Sequence, residues 1–178
     1  MTIFVDADSC PRPAREAVLR SSNKKGIRSV FAANRSIPGI AGKYAVMEIC
    51  PAGEGSADNR IVSLARQGDL AVTRDIPLAA RLVEASVAVL DDRGRVYTRE
   101  NIRERLSLRD FTVNLAEQGL GIERAASYGK KELKGFADSF DRLLTALLKK
   151  EQANNVCTNK VPTNSVRPQA AESSTTSG

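Results

Sequence analysis

Short apolar runs alternating with helical periods organise the first 150 residues. Ile3-Phe4-Val5 has the length and character of a buried strand. Pro11 and Pro13 suit the first turn of a helix that Ala14, Ala17 and Val18 continue. Gly26 then precedes a second strand through Ile27-Arg28-Ser29-Val30-Phe31, and a weaker third runs through Val46-Met47-Glu48-Ile49. A helix opens at Ser56, expected as its cap, carries Ile61, Val62, Leu64 and Ala65, and stops at Gly68. Leu70-Ala71-Val72-Thr73 is a strand, Asp75-Ile76-Pro77-Leu78 begins a helix, and Val87-Ala88-Val89-Leu90 is the next strand.

Beyond it, Thr98 and Ser107 each have a polar or acidic residue three positions on (Asn101, Asp110), which predicts two successive helix caps. Leu133, Phe136, Phe140, Leu143, Leu144 and Leu147 mark one face of a terminal amphipathic helix. Strands alternating with helices predict an α/β fold: a mostly parallel central sheet covered on both faces, in three layers, over residues 1–150. From Glu151 on, Asn, Gln, Thr, Ser and Pro dominate without a period, so residues 151–178 are expected to be a disordered tail.

Composition removes several function classes. The chain has no histidine, which excludes Ser-His and Cys-His nucleophiles and histidine metal ligands. It has no tryptophan, and aromatics make up 4%, few for a protein that stacks single-stranded bases. Cys10, Cys50 and Cys157 are odd in number and lack zinc or disulfide spacing, as in a reducing cytoplasm. No apolar run reaches the ~18 residues of a transmembrane helix, and the N-terminus has no signal-peptide pattern. A cytoplasmic location is expected. The net charge of +6 suits a polyanionic partner. Residues 149–178 hold four basic and two acidic side chains, so most of that charge belongs to the folded part.

The acids carry the chemistry. Asp6 and Asp8 follow the first strand, Asp75 follows the strand ending at Thr73, and Asp91-Asp92 follow the strand ending at Leu90. Asp58 falls in the first turn of the helix at Ser56. In a parallel sheet the carboxyl ends of strands share one edge, where open α/β proteins bind ligands, and Asn34 and Ser36 belong to the same edge. Singly, each acid has an ordinary role: Asp75 as an N-cap, Asp58 at a positive helix end, Asp8 as a cap near Pro11. Together they repel one another unless a cation neutralises them. Oxygen ligands without His or a Cys cluster call for Mg²⁺ or Mn²⁺. Such an ion activates water and stabilises charge on a phosphoryl oxygen. Asp6, Asp58 and Asp75 are the expected metal ligands, with Asp8 as a ligand or base.

At these residues the sequence resembles the bacterial YaiI/YqxD family of uncharacterised proteins. The motifs are Asp6-Ala7-Asp8-Ser9-Cys10-Pro11, Ala33-Asn34-Arg35-Ser36, Ala57-Asp58-Asn59-Arg60, Thr73-Arg74-Asp75-Ile76-Pro77, Arg93-Gly94-Arg95-Val96-Tyr97 and Asn101 to Phe111. That family is similar in fold to PIN-like nuclease domains, which cleave RNA with acidic residues and a divalent metal. The resemblance implies a nuclease role for Asp6, Asp8, Asp58 and Asp75, with RNA as partner. Asn34, Ser36, Thr73, Arg74, Arg93 and Arg95 are then candidate substrate contacts. Asp91-Asp92 stand where relatives often have Asn-Pro, so neither is expected to be an essential ligand.

Two other readings compete. A haloacid-dehalogenase-like phosphatase needs a DxD, a Thr or Ser, a lysine and paired acids; Asp6, Asp8, Thr73 and Asp91-Asp92 imitate that set. No lysine lies between Lys43 and Lys130, however, to steady an aspartyl nucleophile. The other reading is a non-catalytic RNA-binding or adaptor module using the six arginines between Arg93 and Arg109, which face only two glutamates. Arg-Glu pairs on a solvated helix are the simpler account of those arginines. Cys10 has no histidine to activate it, and Gly39, Gly42, Gly53 and Gly55 form no phosphate-binding fingerprint.

Overall fold

In a computed structural model of the chain, the described residues are 1–118 and 128–158. They form six strands and five helices: β1 (Ile3–Asp6), α1 (Arg12–Lys25), β2 (Ser29–Ala33), β3 (Ala45–Ile49), α2 (Ser56–Leu64), β4 (Leu70–Val72), α3 (Ile76–Glu84), β5 (Ala88–Leu90), β6 (Val96–Tyr97), α4 (Arg99–Glu117) and α5 (Lys130–Thr158). The strands make one sheet in the order β3-β2-β1-β4-β5-β6. β1 to β5 are mutually parallel, and β6 returns antiparallel on β5.

Alternation along the strands divides the core in two, because successive side chains point to opposite faces. Ile3, Val5, Phe31, Leu70, Val72 and Leu90 meet Ala14 and Val18 of α1 and Phe136, Phe140 and Leu144 of α5. Phe4, Val30, Ala32, Ala71 and Val89 meet Ile61 of α2, Leu78 and Leu82 of α3 and Ile102 of α4. The expected three-layer α/β architecture with a mostly parallel sheet is present.

Local chemistry explains most element ends. Pro13 stands in the first turn of α1, where a missing N–H costs nothing, and Gly26 closes that helix with φ +69°. The Asp75 side chain accepts from the Leu78 N–H at 2.6 Å and caps α3. Thr98 and Asn101 form a reciprocal capping box at α4.

Several expected boundaries differ. The N-cap of α2 is Gly55, with φ +70°, and Ser56 is its first residue; α2 ends at Leu64, before Gly68. Ser107 caps nothing and lies inside the continuous α4, since an exposed serine is tolerated within a helix once a strong cap upstream has set its frame. Asp8 does not cap α1, whose N-cap is Pro11 with no side-chain bond. β6 is too short for a periodic signal. The boundary expected at residue 150 falls within α5, which continues to Thr158; residues 159–178 of the expected tail lie outside the described residues. No described helix is long and apolar enough to cross a membrane.

Candidate functional site at the carboxyl edge

The chain leaves β1 toward β2 and β3, then returns to β4 on the other side of β1. That reversal opens a crevice at the carboxyl ends of β1 and β4, the usual ligand position in an open α/β sheet. Val5 and Val72 are in register, so the residues that follow them, Asp6 and Thr73, emerge side by side.

Asp6 is 5% exposed, and its carboxylate accepts from neutral donors, chiefly at Oδ2. Thr73 Oγ1 donates to Oδ2 at 2.8 Å and Ser9 Oγ donates to the same oxygen at 2.5 Å, while the Ser9 N–H reaches Oδ1 at 3.4 Å. The two hydroxyls also accept from the next loop. The Asp75 N–H donates to Thr73 Oγ1 at 3.0 Å, and the Arg74 N–H donates to Ser9 Oγ at 3.3 Å. Asp6, Ser9, Thr73, Arg74 and Asp75 thus form one hydrogen-bonded unit across two loops. Ser9 did not stand out in the sequence; its signal is the three-residue spacing from Asp6, at which a side-chain hydroxyl and N–H fold back on a carboxylate.

Asp8 is turned toward the β2 side. Its Oδ2 accepts from the Asn34 N–H at 2.7 Å, and its Oδ1 lies 3.6 Å from Arg35 Nε. Asn34 Nδ2 in turn donates to the carbonyl of Gly53 at 3.2 Å, tying this loop to the one before α2. Ser36 is exposed two residues further along. Asp58, in the first turn of α2, is half-buried. Its carboxyl is pushed up to about 6, first by burial, then by the charges of Asp6 and Asp75, with Asp8 adding to them and Arg81 opposing. Four acids from three segments therefore share one electrostatic neighbourhood.

An all-oxygen donor set with a raised carboxyl has the chemistry that a hard divalent cation relieves. The donors are not drawn together, however: among the described residues no group of three or more acidic or cysteine side chains is placed to hold a metal ion. Asp6, Asp8 and Asp75 instead spend oxygens on the hydrogen bonds above.

Arg93 and Arg95 lie in the hairpin between β5 and β6, where their N–H groups both donate to Asp91 Oδ1, at 2.9 and 2.7 Å. Asp91 is therefore a turn residue. Its neighbour Asp92 is 2% exposed, with Oδ1 3.5 Å from Arg74 Nε and Oδ2 without a hydrogen-bond partner. The sequence did not separate these two acids. Cys10 is buried, and burial, then Asp92, push its thiol up to about 12, so it stays protonated. Among the described residues no reactive cysteine faces the edge.

Residues 4–146 match the family described as "Uncharacterized BCR, YaiI/YqxD family". A "UPF0178 protein" of Treponema pallidum is 46% identical over 149 residues, covering 84% of this chain and 84% of the relative. Another of that name from Myxococcus xanthus is 45% identical over 153 residues, covering 85% and 99%. No solved structure matches the chain. With the family match spanning β1 to α5, and relatives at this identity over nearly their whole length, the chain belongs to the YaiI/YqxD family.

Proposed function

We propose that this protein is a divalent-metal-dependent nuclease that hydrolyses RNA phosphodiester bonds at Asp6, Asp8, Asp58 and Asp75. The observation that carries the reading is the meeting of the β1 and β4 ends, where Thr73 Oγ1 donates to Asp6 and accepts from the Asp75 N–H. The carboxyl of Asp58, raised first by burial and then by Asp6 and Asp75, lies in the field of those two loops.

Asp6, Asp58 and Asp75 would hold Mg²⁺ or Mn²⁺, which when bound supplies a Lewis acid and a water of lowered pKa. Ser9 and Thr73 fix the carboxylate of Asp6 by their hydroxyls, so its orientation is set before substrate arrives. Asp8, on the β2 side and partly exposed, is the acid available to take a proton from water. Asn34, Ser36, Thr73, Arg74, Arg93 and Arg95 remain the candidate contacts to the strand being cut. A cytoplasmic location belongs to the same proposal. The phosphatase alternative is weakened by Asp91, which the β5–β6 turn occupies, and by the hydrogen bond between Thr73 and Asp6.

A second reading, an RNA-binding module without catalysis, draws on the separation of the carboxylates. Calorimetry with Mn²⁺ on the wild type and on Asp6→Asn/Asp75→Asn, with RNA cleavage assayed on the same samples, decides between them. The nuclease reading expects binding and cleavage in the wild type and neither in a folded variant. A wild type that binds RNA but neither Mn²⁺ nor cuts would leave the binding module.

A further inference from the structure

Asp92 has no account in the architecture. The hairpin turn is made by Asp91, and α3 is capped by Asp75. The side chain of Asp92 is 3% exposed, and its only described ion-pair contact is at 3.5 Å from Oδ1 to Arg74 Nε. Its Oδ2 is shielded from solvent without a hydrogen bond. Besides Arg74, the charge of Arg93 and the residue's own backbone N–H favour the carboxylate. A buried carboxyl with one oxygen left unbonded still does less for stability than an apolar residue of similar size.

The backbone beneath it is nonetheless firmly held. Tyr128 Oη donates to the Asp92 carbonyl at 2.9 Å. Two residues on, Gly94 has φ +88° and packs so closely on the carbonyl of Gly135 in α5 that a Cβ there would collide with it. Asp92 is a rigidly held carboxyl, pushed up by burial and drawn back down by the long cation it faces, Arg74.

Arg74 is the other half. Its N–H is tied to Ser9 Oγ, one bond from Asp6, while its side chain is 45% exposed. Asp92 touches it on the Nε side only, and its two terminal amino groups bond to no described residue. Structural Arg–Asp bridges frequently close as a two-bonded fork, using both carboxylate oxygens. This one stays half made and keeps a guanidinium face for a tetrahedral oxyanion.

We propose that Asp92 is a positioning residue that holds Arg74 as a phosphate clamp on the β5 side of Asp6, for a phosphate of a single RNA strand. This rests on the reading of the edge as a phosphodiester site. Anchoring removes rotamer freedom that arginine would otherwise lose on binding.

The test is fluorescence anisotropy of a short labelled single-stranded RNA, in EDTA and in Ca²⁺, with the wild type, Arg74→Lys, Asp92→Asn and the double variant. Arg74→Lys keeps the charge and loses the fork, and should weaken binding about tenfold. Asp92→Asn removes a negative charge near the ligand, so electrostatics alone would tighten binding. Weakening against that trend, with the double variant no worse than Arg74→Lys, is what positioning requires. Unchanged or tighter binding by a folded Asp92→Asn overturns the proposal, as does wild-type affinity in Arg74→Lys or a wild type that binds no RNA. Should Asp92→Asn fail to fold, Arg74→Lys decides, because Arg74 is half exposed and outside the core. Cleavage in Mn²⁺ on the same samples separates the two readings. A clamp without cleavage keeps this proposal while the nuclease reading falls, and cleavage without a clamp overturns this proposal alone.

Discussion

Thr73 Oγ1 donates a 2.8 Å hydrogen bond to Asp6 Oδ2, joining the ends of β4 and β1 where the sheet reverses direction. The same oxygen accepts from the Asp75 N–H, so one hydroxyl orients a buried carboxylate and the start of α3 together. Thr73→Val keeps the shape and removes both functions. It should cost about 2 kcal/mol in urea denaturation, the scale of a lost hydrogen bond to a buried charge. Thr73→Ser should stay close to wild type.

Asp58 supplies a pH dependence. Its folded pKa of about 6 lies above the ordinary 3.8, raised by burial and by Asp6 and Asp75. Its contribution to stability is therefore complete below about pH 4 and is lost as the pH rises through about 6. Denaturation midpoints should fall across that window in the wild type. Asp58→Asn should flatten the fall; an unchanged slope would remove Asp58 from the acidic cluster. If the edge loads Mn²⁺, binding at pH 5.5 should release protons, visible as a dependence of the calorimetric heat on the buffer.

Gly94 has both a left-handed backbone and no room for a side chain, since a Cβ would meet the Gly135 carbonyl. Gly94→Ala should destabilise by about 1–3 kcal/mol. Because it displaces the hairpin that carries Asp92, it should also weaken RNA binding if Asp92 positions Arg74.

Phe136 is fully buried and stacks on Phe140 with ring centroids 5.5 Å apart, whereas Phe111 on α4 is 61% exposed. Phe136→Ala should cost about 3–5 kcal/mol. Phe111→Ser should change stability by no more than about 0.5 kcal/mol. Thermal melting of the two variants compares the core contact that seats α5 on the sheet with the exposed second half of α4.

The sequence by itself determined the five parallel strands and where their acids fall, but not the two-residue β6. Buried runs such as Ile3-Phe4-Val5 and Leu70-Ala71-Val72 are legible because a parallel sheet covered on both faces needs apolar residues at every position. Asp75 before Ile76-Pro77 and Thr98 before Asn101 are legible because a cap acts within one turn. Ser56 and Ser107 misled for the same reason: a local pattern says nothing of a left-handed Gly55 upstream or of a frame already set at Thr98.

The tertiary structure decided which distant groups meet. Placing β4 beside β1 gave Asp6 its partner in Thr73, and the raised carboxyl of Asp58 arises from residues up to 52 positions away in the chain. Asp91 and Asp92 look alike in sequence, yet one accepts the N–H groups of its own turn while the other is buried against Arg74. A turn bonds to itself and can be read locally. A buried charge is defined by what the fold brings to it.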